Sequence, residues 1–150
     1  MKIRVEEHDT CDDVEIVIHC LKHDEKVQKV IDQLEYTQKK MICKKDKNIY
    51  SIYLSDILYI ESIDEKTFVY AHDDIYEHSS KLYMLEEQFK NDGFLRISKS
   101  CLMNLDVLKS VRALLNGKYE ATLINDEKLI ISRSYMKAFK KAFGIERGIL

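Results

Sequence analysis

The sequence contains no proline and no tryptophan, and only 4 of its 150 residues are glycine. Glycine-rich phosphate loops and proline-rich linkers are therefore excluded, and with them the common nucleotide-binding enzymes. No apolar run approaches the roughly 18 residues that cross a bilayer, so no membrane insertion is predicted. Residues 1–20 are acidic where a secretory signal would need a basic patch followed by an apolar stretch. The sequence thus predicts a cytoplasmic protein.

Charge is distributed unevenly along the chain, although the formal net charge is only -2. Residues 1–40 contain 7 Lys and Arg against 10 Asp and Glu, and residues 41–92 contain 6 against 11. Residues 93–150 reverse this balance, with 11 against 5. A cationic third within an acidic protein is expected where that third faces a polyanion. Chance segregation of charge explains the same counts equally well, so charge alone does not decide the function.

The cysteines do not form a metal-binding pattern. They stand at positions 11, 20, 43 and 101, with no CxxC pair. Three potential metal ligands lie close together at His19, Cys20 and His23. A second pair of ligands at the sequence spacing of a zinc finger is missing. Because export is not expected, the thiols are predicted to be reduced. No metal and no cofactor are predicted.

Residues 1–40 are predicted to form a small β-β-α unit. Apolar and polar residues alternate at 3–5 and again at 14–18, which predicts two strands joined by a turn. Asp24 is placed to cap a helix, and the apolar residues of 27–34 recur at helical spacing. A unit of this size has little core of its own.

Residues 41–150 have a different sequence pattern, with short runs rich in Ile, Tyr and Val between polar turns. This pattern predicts an antiparallel, mainly β domain with small helices. Asn116-Gly117 is the best hairpin turn, because both central positions of a type I′ turn need positive φ. Helices are expected from near Ser80 to Gly93 and over 133–143, the second with a basic side that faces either solvent or phosphate. The predicted strands cover 41–44, 49–54, 57–62, 67–71, 75–78, 107–115, 118–124 and 128–132.

Three segments occur in a specific order, Ile57-Leu-Tyr-Ile-Glu-Ser62, then Phe94-Leu-Arg-Ile-Ser-Lys-Ser100 with Asn104, then Leu129-Ile-Ile-Ser-Arg-Ser-Tyr135. In this order and spacing they resemble the LytTR DNA-binding domain of the LytR/AgrA class of bacterial transcriptional regulators, over about residues 41–145. The resemblance implies an elongated fold of about ten mostly antiparallel strands with small helices. It also implies that double-stranded DNA is recognised by loops in successive major grooves, without a recognition helix, and that the protein is not an enzyme.

The resemblance places DNA contacts at individual positions. Arg133 falls at the late arginine of the family, and its planar fork can bind guanine with two hydrogen bonds. Lys99 falls where the family uses a polar or basic residue against DNA. Thr67 stands where relatives often carry a longer donor, so the adjacent Lys66 is the alternative cation. Phosphate contacts are predicted for Ser98, Ser100 and Lys137.

Structural roles compete with these assignments. Capping of a turn is the alternative for Ser98 and Ser100. Asn104 is expected to hold the backbone of the turn before the next strand rather than to contact DNA. Glu61 and Arg96 are expected to act in positioning, as an ion pair near the DNA. Packing in the core and across strands, rather than stacking on bases, is expected for Tyr53, Tyr59, Tyr70 and Tyr76.

About 40 residues precede the part of the chain that resembles a LytTR domain. They are too few for the doubly wound sheet of a receiver domain. A receiver-less regulator is therefore predicted. Its N-terminal unit should pack on the β domain or on a second copy, forming a homodimer that binds two half-sites. The competing class is a protein-interaction adaptor without DNA binding. An enzyme with a small-molecule substrate comes third, because Ser134 and Lys137 have S-x-x-K spacing but the companion motifs are absent.

Overall fold

The computed structural model describes residues 1–144, which divide into two compact units, 1–33 and 34–144. None of the helices in this described part is long and apolar enough to span a membrane. The helices are α1 (Glu25–Tyr36), α2 (Leu82–Gln88) and α3 (Met136–Phe143). The strands are β1 (Lys40–Lys45), β2 (Asn48–Tyr53), β3 (Ile57–Ile63), β4 (Lys66–Ala71), β5 (Ile75–His78), β6 (Phe94–Ser98), β7 (Cys101–Asn104), β8 (Leu108–Ala113), β9 (Tyr119–Leu123) and β10 (Lys128–Ile131).

The N-terminal unit contains the predicted helix but not the predicted strands. The side chain of Asp24 accepts a hydrogen bond from the backbone N–H of Val27 at 3.1 Å, which caps the start of α1. Residues 1–24 form no strand, so the expected β-β-α unit is a helix preceded by irregular chain. The apolar residues that suggested strands are exposed, Ile3 at 83% and Val14 at 85%. Two isolated strands would bury too little apolar surface to offset the ordering of their backbone.

The β domain contains two antiparallel sheets. Seven strands form the first in the order β2-β1-β5-β4-β3-β7-β6, and three form the second in the order β10-β9-β8. The strands predicted within residues 41–78 agree with the structure to within one residue at each end. The β6–β7 hairpin was not predicted as strands. All four residues of β7 are buried, so its sequence lacks the alternation of apolar and polar residues that signals a strand.

Two apolar clusters form on opposite faces of the seven-stranded sheet, because successive side chains of a strand point to opposite faces. Ile60 and Val69 belong to the cluster that includes Leu85 of α2. The adjacent Tyr59 belongs to the other cluster, which includes the three-stranded sheet and Phe139 of α3. Strand β3 therefore has core packing on both faces, which fixes the position of the turns at its ends.

The tyrosines of the β domain mostly occupy the predicted packing positions. Tyr59 and Tyr76 are buried, and the ring of Tyr70 stacks on Tyr59 with 4.3 Å between centroids. Tyr53 is 43% exposed, so it lies outside the core and packs only across strands, against its partner Lys40. It lies on β2, the edge strand of the sheet, with the ammonium group of Lys40 4.5 Å from its ring centroid.

Candidate nucleic-acid interface

Two hairpin turns of the seven-stranded sheet lie side by side. Strands β3 and β7 pair in antiparallel orientation, so the end of β3 meets the beginning of β7. The backbone N–H of Ser62 donates to the carbonyl oxygen of Ser100 at 2.8 Å and joins the two segments where their turns begin. The β3–β4 turn at 64–65 and the β6–β7 turn at 99–100 therefore project from the same end of the strands.

Arg133 lies next to the second of these turns. It begins a short 3-10 segment, Arg133–Tyr135, that continues into α3. The backbone N–H of Ser132 donates to the carbonyl oxygen of Ile97 at 2.9 Å, which ties this segment to β6 just before Ser98. Phe139 of α3 is fully buried and anchors the helix in the core. Two of the sequence segments that carry the resemblance are thus adjacent in space.

The β8–β9 turn packs against the side chain of Arg133. A Cβ atom added at Gly117 would lie 3.0 Å from Cδ and 3.2 Å from Cγ of Arg133, closer than carbon atoms normally approach. The predicted positive φ is confirmed at both turn positions, 69° at Asn116 and 72° at Gly117. The backbone N–H of Leu114 closes the turn by donating to the carbonyl oxygen of Lys118 at 2.9 Å. Gly117 thus supplies a backbone conformation and also the room that the Arg133 stem occupies.

The backbone of the β6–β7 turn is held by Arg96. Its Nε donates to the carbonyl oxygen of Ser98 at 2.8 Å, and its Nη2 donates to the carbonyl oxygen of Lys99. Its Nη1 donates to Oε2 of Glu86, on α2, at 2.7 Å. The guanidinium group therefore connects the turn that carries Lys99 to helix α2.

The predicted ion pair between Arg96 and Glu61 is wrong, because Glu86 takes that place. Glu61 is half-buried and lies opposite Cys101 in the β3–β7 register. Burial raises the pKa of the Cys101 thiol to about 12, and the negative charge of Glu61 adds to the rise. The α2 helix was predicted, but its orientation, and hence which of its carboxylates reaches Arg96, depends on tertiary packing.

The predicted contact residues differ in exposure. Thr67 is only 3% exposed, because the alternation along β4 turns it toward the interior. This burial corrects the expectation of a DNA contact at Thr67 and leaves Lys66 as the exposed donor of that turn. The other exposed candidates are Lys99, Ser100, Arg133 and Lys137.

The remaining polar residues of this region hold the backbone. The half-buried Ser98 accepts a hydrogen bond at its Oγ from the backbone N–H of Ser100 at 3.3 Å, which favours the turn-capping alternative for Ser98. Asn104 is fully buried and donates from Nδ2 to the carbonyl oxygen of Ile57 at 2.8 Å. Its Oδ1 accepts from the backbone N–H of Asp106 at 3.0 Å, so the predicted structural role of Asn104 is confirmed.

Two sets of cations in the β domain differ in their partners. The paired group lies on β8 and β10 of the three-stranded sheet, where Lys109 pairs with Asp126 at 3.0 Å. Arg112 and Lys128 both pair with Glu120, at 3.0 and 3.7 Å. Within residues 1–144, no carboxylate forms an ion pair with Lys66, Lys99, Arg133 or Lys137, which are called the unpaired group below. Several other lysines of the β domain, such as Lys118 and Lys141, also form no ion pair in this range, but they lie outside the two hairpin turns and the segment at Arg133.

Comparison with known proteins identifies relatives of this chain. Sensory transduction protein LytR of Staphylococcus saprophyticus is 28% identical over 109 residues, which cover 73% of this chain and 43% of that protein. Sensory transduction protein LytT of Bacillus subtilis is 26% identical over 137 residues, 89% of this chain and 57% of that protein. The chain thus spans about half the length of these relatives. An uncharacterized HTH-type transcriptional regulator of Staphylococcus aureus is 27% identical, with 87% and 89% covered.

The fold and the family are shown by two further matches. A solved LytTr DNA-binding domain of a putative methyl-accepting/DNA response regulator from Bacillus cereus superposes with a TM-score of 0.68 at 24% identity. It covers 72% of this chain and 99% of that domain, which confirms the predicted mainly β fold. The family model described as the LytTr DNA-binding domain matches residues 47–144, more than half of the chain. The chain therefore belongs to the LytTR DNA-binding domain family.

Proposed function

We propose that this chain regulates transcription by binding specific promoter DNA through the β3–β4 turn, the β6–β7 turn and the segment that begins at Arg133. The observation that carries the proposal is the placement of Lys66, Lys99 and Arg133, which are exposed and have no carboxylate partner in the described part of the chain. The backbone hydrogen bonds from Ser62 to Ser100 and from Ser132 to Ile97 hold the segments that carry them next to one another. DNA phosphates would supply those partners, and the release of counterions would make the affinity depend on salt.

Base recognition is assigned to Arg133 and Lys99. Arg133 has the planar fork that fits guanine O6 and N7, and its stem rests on the β8–β9 turn. Lys99 lies at the tip of a narrow hairpin turn, and a turn of this kind can enter a major groove about 12 Å wide. Contacts to phosphate, which fix the register without reading sequence, are assigned to Lys66, Ser100 and Lys137.

The proposal is tested by incubating the purified full chain with random duplexes and sequencing the duplexes that it retains. We expect a recurrent sequence, and we expect affinity for it to fall steeply as salt is raised. Retained duplexes without a shared sequence would contradict specific recognition. Absence of any salt-dependent binding to duplex DNA would favour the adaptor class instead.

We also propose that the chain acts as a homodimer on two half-sites, about one helical turn of DNA or a small multiple apart. The support comes from the N-terminal unit, where apolar side chains are left exposed, Val14 at 85% and Ile16 at 56%. Exposed apolar side chains that cluster along a segment mark an interaction surface. A second copy of the same unit would cover them.

Sedimentation velocity of the full chain tests the dimer. The double substitution Val14→Asp, Ile16→Asp should convert a dimer to a monomer, because it places charge in the proposed contact. Ile49→Asp is the matched control, since Ile49 is 77% exposed on the edge strand β2 of the β domain. A double variant that sediments as the unmodified chain does would contradict dimerisation through residues 14–18.

A further inference from the structure

The side chain of Arg96 occupies an unusual place in the β6–β7 hairpin. The pairing of β6 with β7 shifts register between Arg96 and Ser98, so the regular ladder is interrupted just before the turn. The carbonyl oxygens of Ser98 and Lys99 accept hydrogen bonds from Arg96 itself. One side chain thus takes over the role that a neighbouring strand has elsewhere in the sheet.

Glu86 fixes the position of that guanidinium group. Its Oε2 accepts from Nη1 of Arg96 at 2.7 Å, and the side chain of Arg96 is only 18% exposed. Neighbouring residues of α2, including Leu85, are buried in the core, so the helix cannot shift without disturbing the packing. The turn, the guanidinium group and the helix therefore form a connected unit.

We infer that Arg96, fixed by Glu86, is a positioning residue for DNA recognition. It sets the conformation of the β6–β7 turn and thereby the place from which Lys99 reaches a base. This inference rests on the proposed function, in which Lys99 reads sequence. It adds a residue that contacts no DNA and yet decides how well the chain distinguishes one DNA sequence from another.

The hydrogen bonds of Arg96 separate this role from a direct contact. An arginine has five N–H donors, and here at least three are directed to protein acceptors. Its charge is neutralised by Glu86, so it adds no counterion release when DNA binds. A positioning role therefore changes the affinity for the preferred sequence, whereas a phosphate contact changes the affinity for every sequence and the salt dependence with it.

The substitution Arg96→Lys tests the inference most directly. Lysine keeps the positive charge, but its three N–H donors are on one nitrogen, so it cannot reach the three acceptors that Nε, Nη1 and Nη2 of Arg96 reach separately. We expect the full-length variant to bind the selected duplex about tenfold more weakly, and to bind random duplex as the unmodified chain does. The slope of affinity against salt should be unchanged. Mobility-shift titrations at two salt concentrations measure all three quantities.

Two further variants keep the test decisive if Arg96→Lys lowers the folded fraction, which thermal unfolding reports. Glu86→Gln retains an acceptor for Arg96 but removes the negative charge, and we expect a smaller loss of the same, sequence-dependent kind. Glu87→Gln, one position along α2, breaks only the exposed pair with Lys90 and should leave DNA binding unchanged.

The outcomes distinguish this inference from the proposed function. Equal losses on selected and random duplexes, with a flatter salt slope, would show that Arg96 contacts phosphate and would overturn the positioning role. Folded Arg96→Lys and Glu86→Gln variants that retain full preference for the selected duplex would overturn it as well. Failure of the unmodified chain to bind duplex DNA would instead contradict the proposed function.

Discussion

The paired group and the unpaired group contain the same kinds of side chain and differ in their surroundings. Arg112 and Lys128 lie on the two strands that flank β9, on the face of the sheet from which Glu120 reaches both. Arg133 and Lys99 lie where the chain leaves a strand, and their near neighbours are backbone carbonyls, hydroxyl groups and a glycine. Regular strands bring opposite charges together across the ladder, whereas turns present single charges to solvent.

Under the proposed function, this difference accounts for the binding of DNA to one region of an acidic chain. The number of cations in residues 93–150 overstates the charge that DNA can use, because Asp126 and Glu120 offset two of the three charges of the paired group. Ion pairs of this exposed kind contribute only about 0–1 kcal/mol to stability. Their larger effect is to reduce the positive charge that the three-stranded sheet presents to a polyanion.

Arg133→Ala should produce the largest change of any single cation. We expect a loss of about 1–3 kcal/mol on the selected duplex and a much smaller loss on random duplex, because a contact to a base edge is removed. Arg112→Ala removes the same charge from the paired group and leaves Glu120 with Lys128 as its partner. Mobility-shift titration of both variants makes the comparison. Equal losses of affinity in the two variants would show that the paired and unpaired groups contribute equally to DNA binding.

Gly117→Ala should move Arg133 without removing it. The new Cβ displaces the Arg133 stem, and alanine at φ 72° is strained by roughly 1–2 kcal/mol. Gly117→Asn separates the two effects, because asparagine tolerates this φ but still carries a Cβ. We expect both variants to weaken binding to the selected duplex by a few-fold, and the alanine variant to unfold at a lower temperature. Unchanged binding by both variants would mean that the β8–β9 turn does not orient Arg133.

Lys137→Ala should weaken binding to every duplex alike. A phosphate contact is lost, so the slope of log affinity against log salt should become less steep by about 1. Lys128→Ala, from the paired group, should leave that slope unchanged because its charge is already shared with Glu120. Titrations over a range of salt concentrations give both slopes. A sequence-dependent effect of Lys137→Ala would assign it to base reading instead.

The smallest expected change comes from Glu120→Gln, which converts paired cations into unpaired ones. Arg112 and Lys128 lose their common partner, so affinity for random duplex should rise about two- to threefold at low salt. Glu77→Gln removes one negative charge from an exposed residue that forms no ion pair within residues 1–144, and serves as the control for net charge alone. An equal rise in both variants would show that total charge, rather than pairing, governs non-specific binding.

Local patterns predict much of the β domain, since β1 to β5 follow the alternation that a half-buried sheet requires. The same alternation, applied to β4, places Thr67 with Val69 on the buried side, whereas the family resemblance alone suggested an exposed donor. In the N-terminal unit, alternation is present without a neighbouring strand, so no strand forms at residues 14–18. A local pattern indicates which side chains of a segment could be buried, but it does not show whether another strand is available to pair with that segment.

Local sequence patterns do not predict the contacts that orient the residues of the proposed site. Glu86 and Arg96 are separated by ten residues and come from a helix and a strand. Gly117 and Arg133 meet only because the β8–β9 turn and the start of the last helical segment are packed together. Such pairs depend on the angle between elements, which the sequence specifies only through the whole core. The chemical types at the site were predictable, but the residues that hold them in place were not.

Hydrogen bonds from Ser62 to Ser100 and from Ser132 to Ile97 have a consequence for the kinetics of association. Both are backbone bonds that exist before any DNA arrives, so binding does not have to order these turns. The conformational entropy lost on complex formation then falls mainly on the long cationic side chains. Association should proceed at a rate set by electrostatic steering, and the discrimination between sequences should appear in the lifetime of the complex.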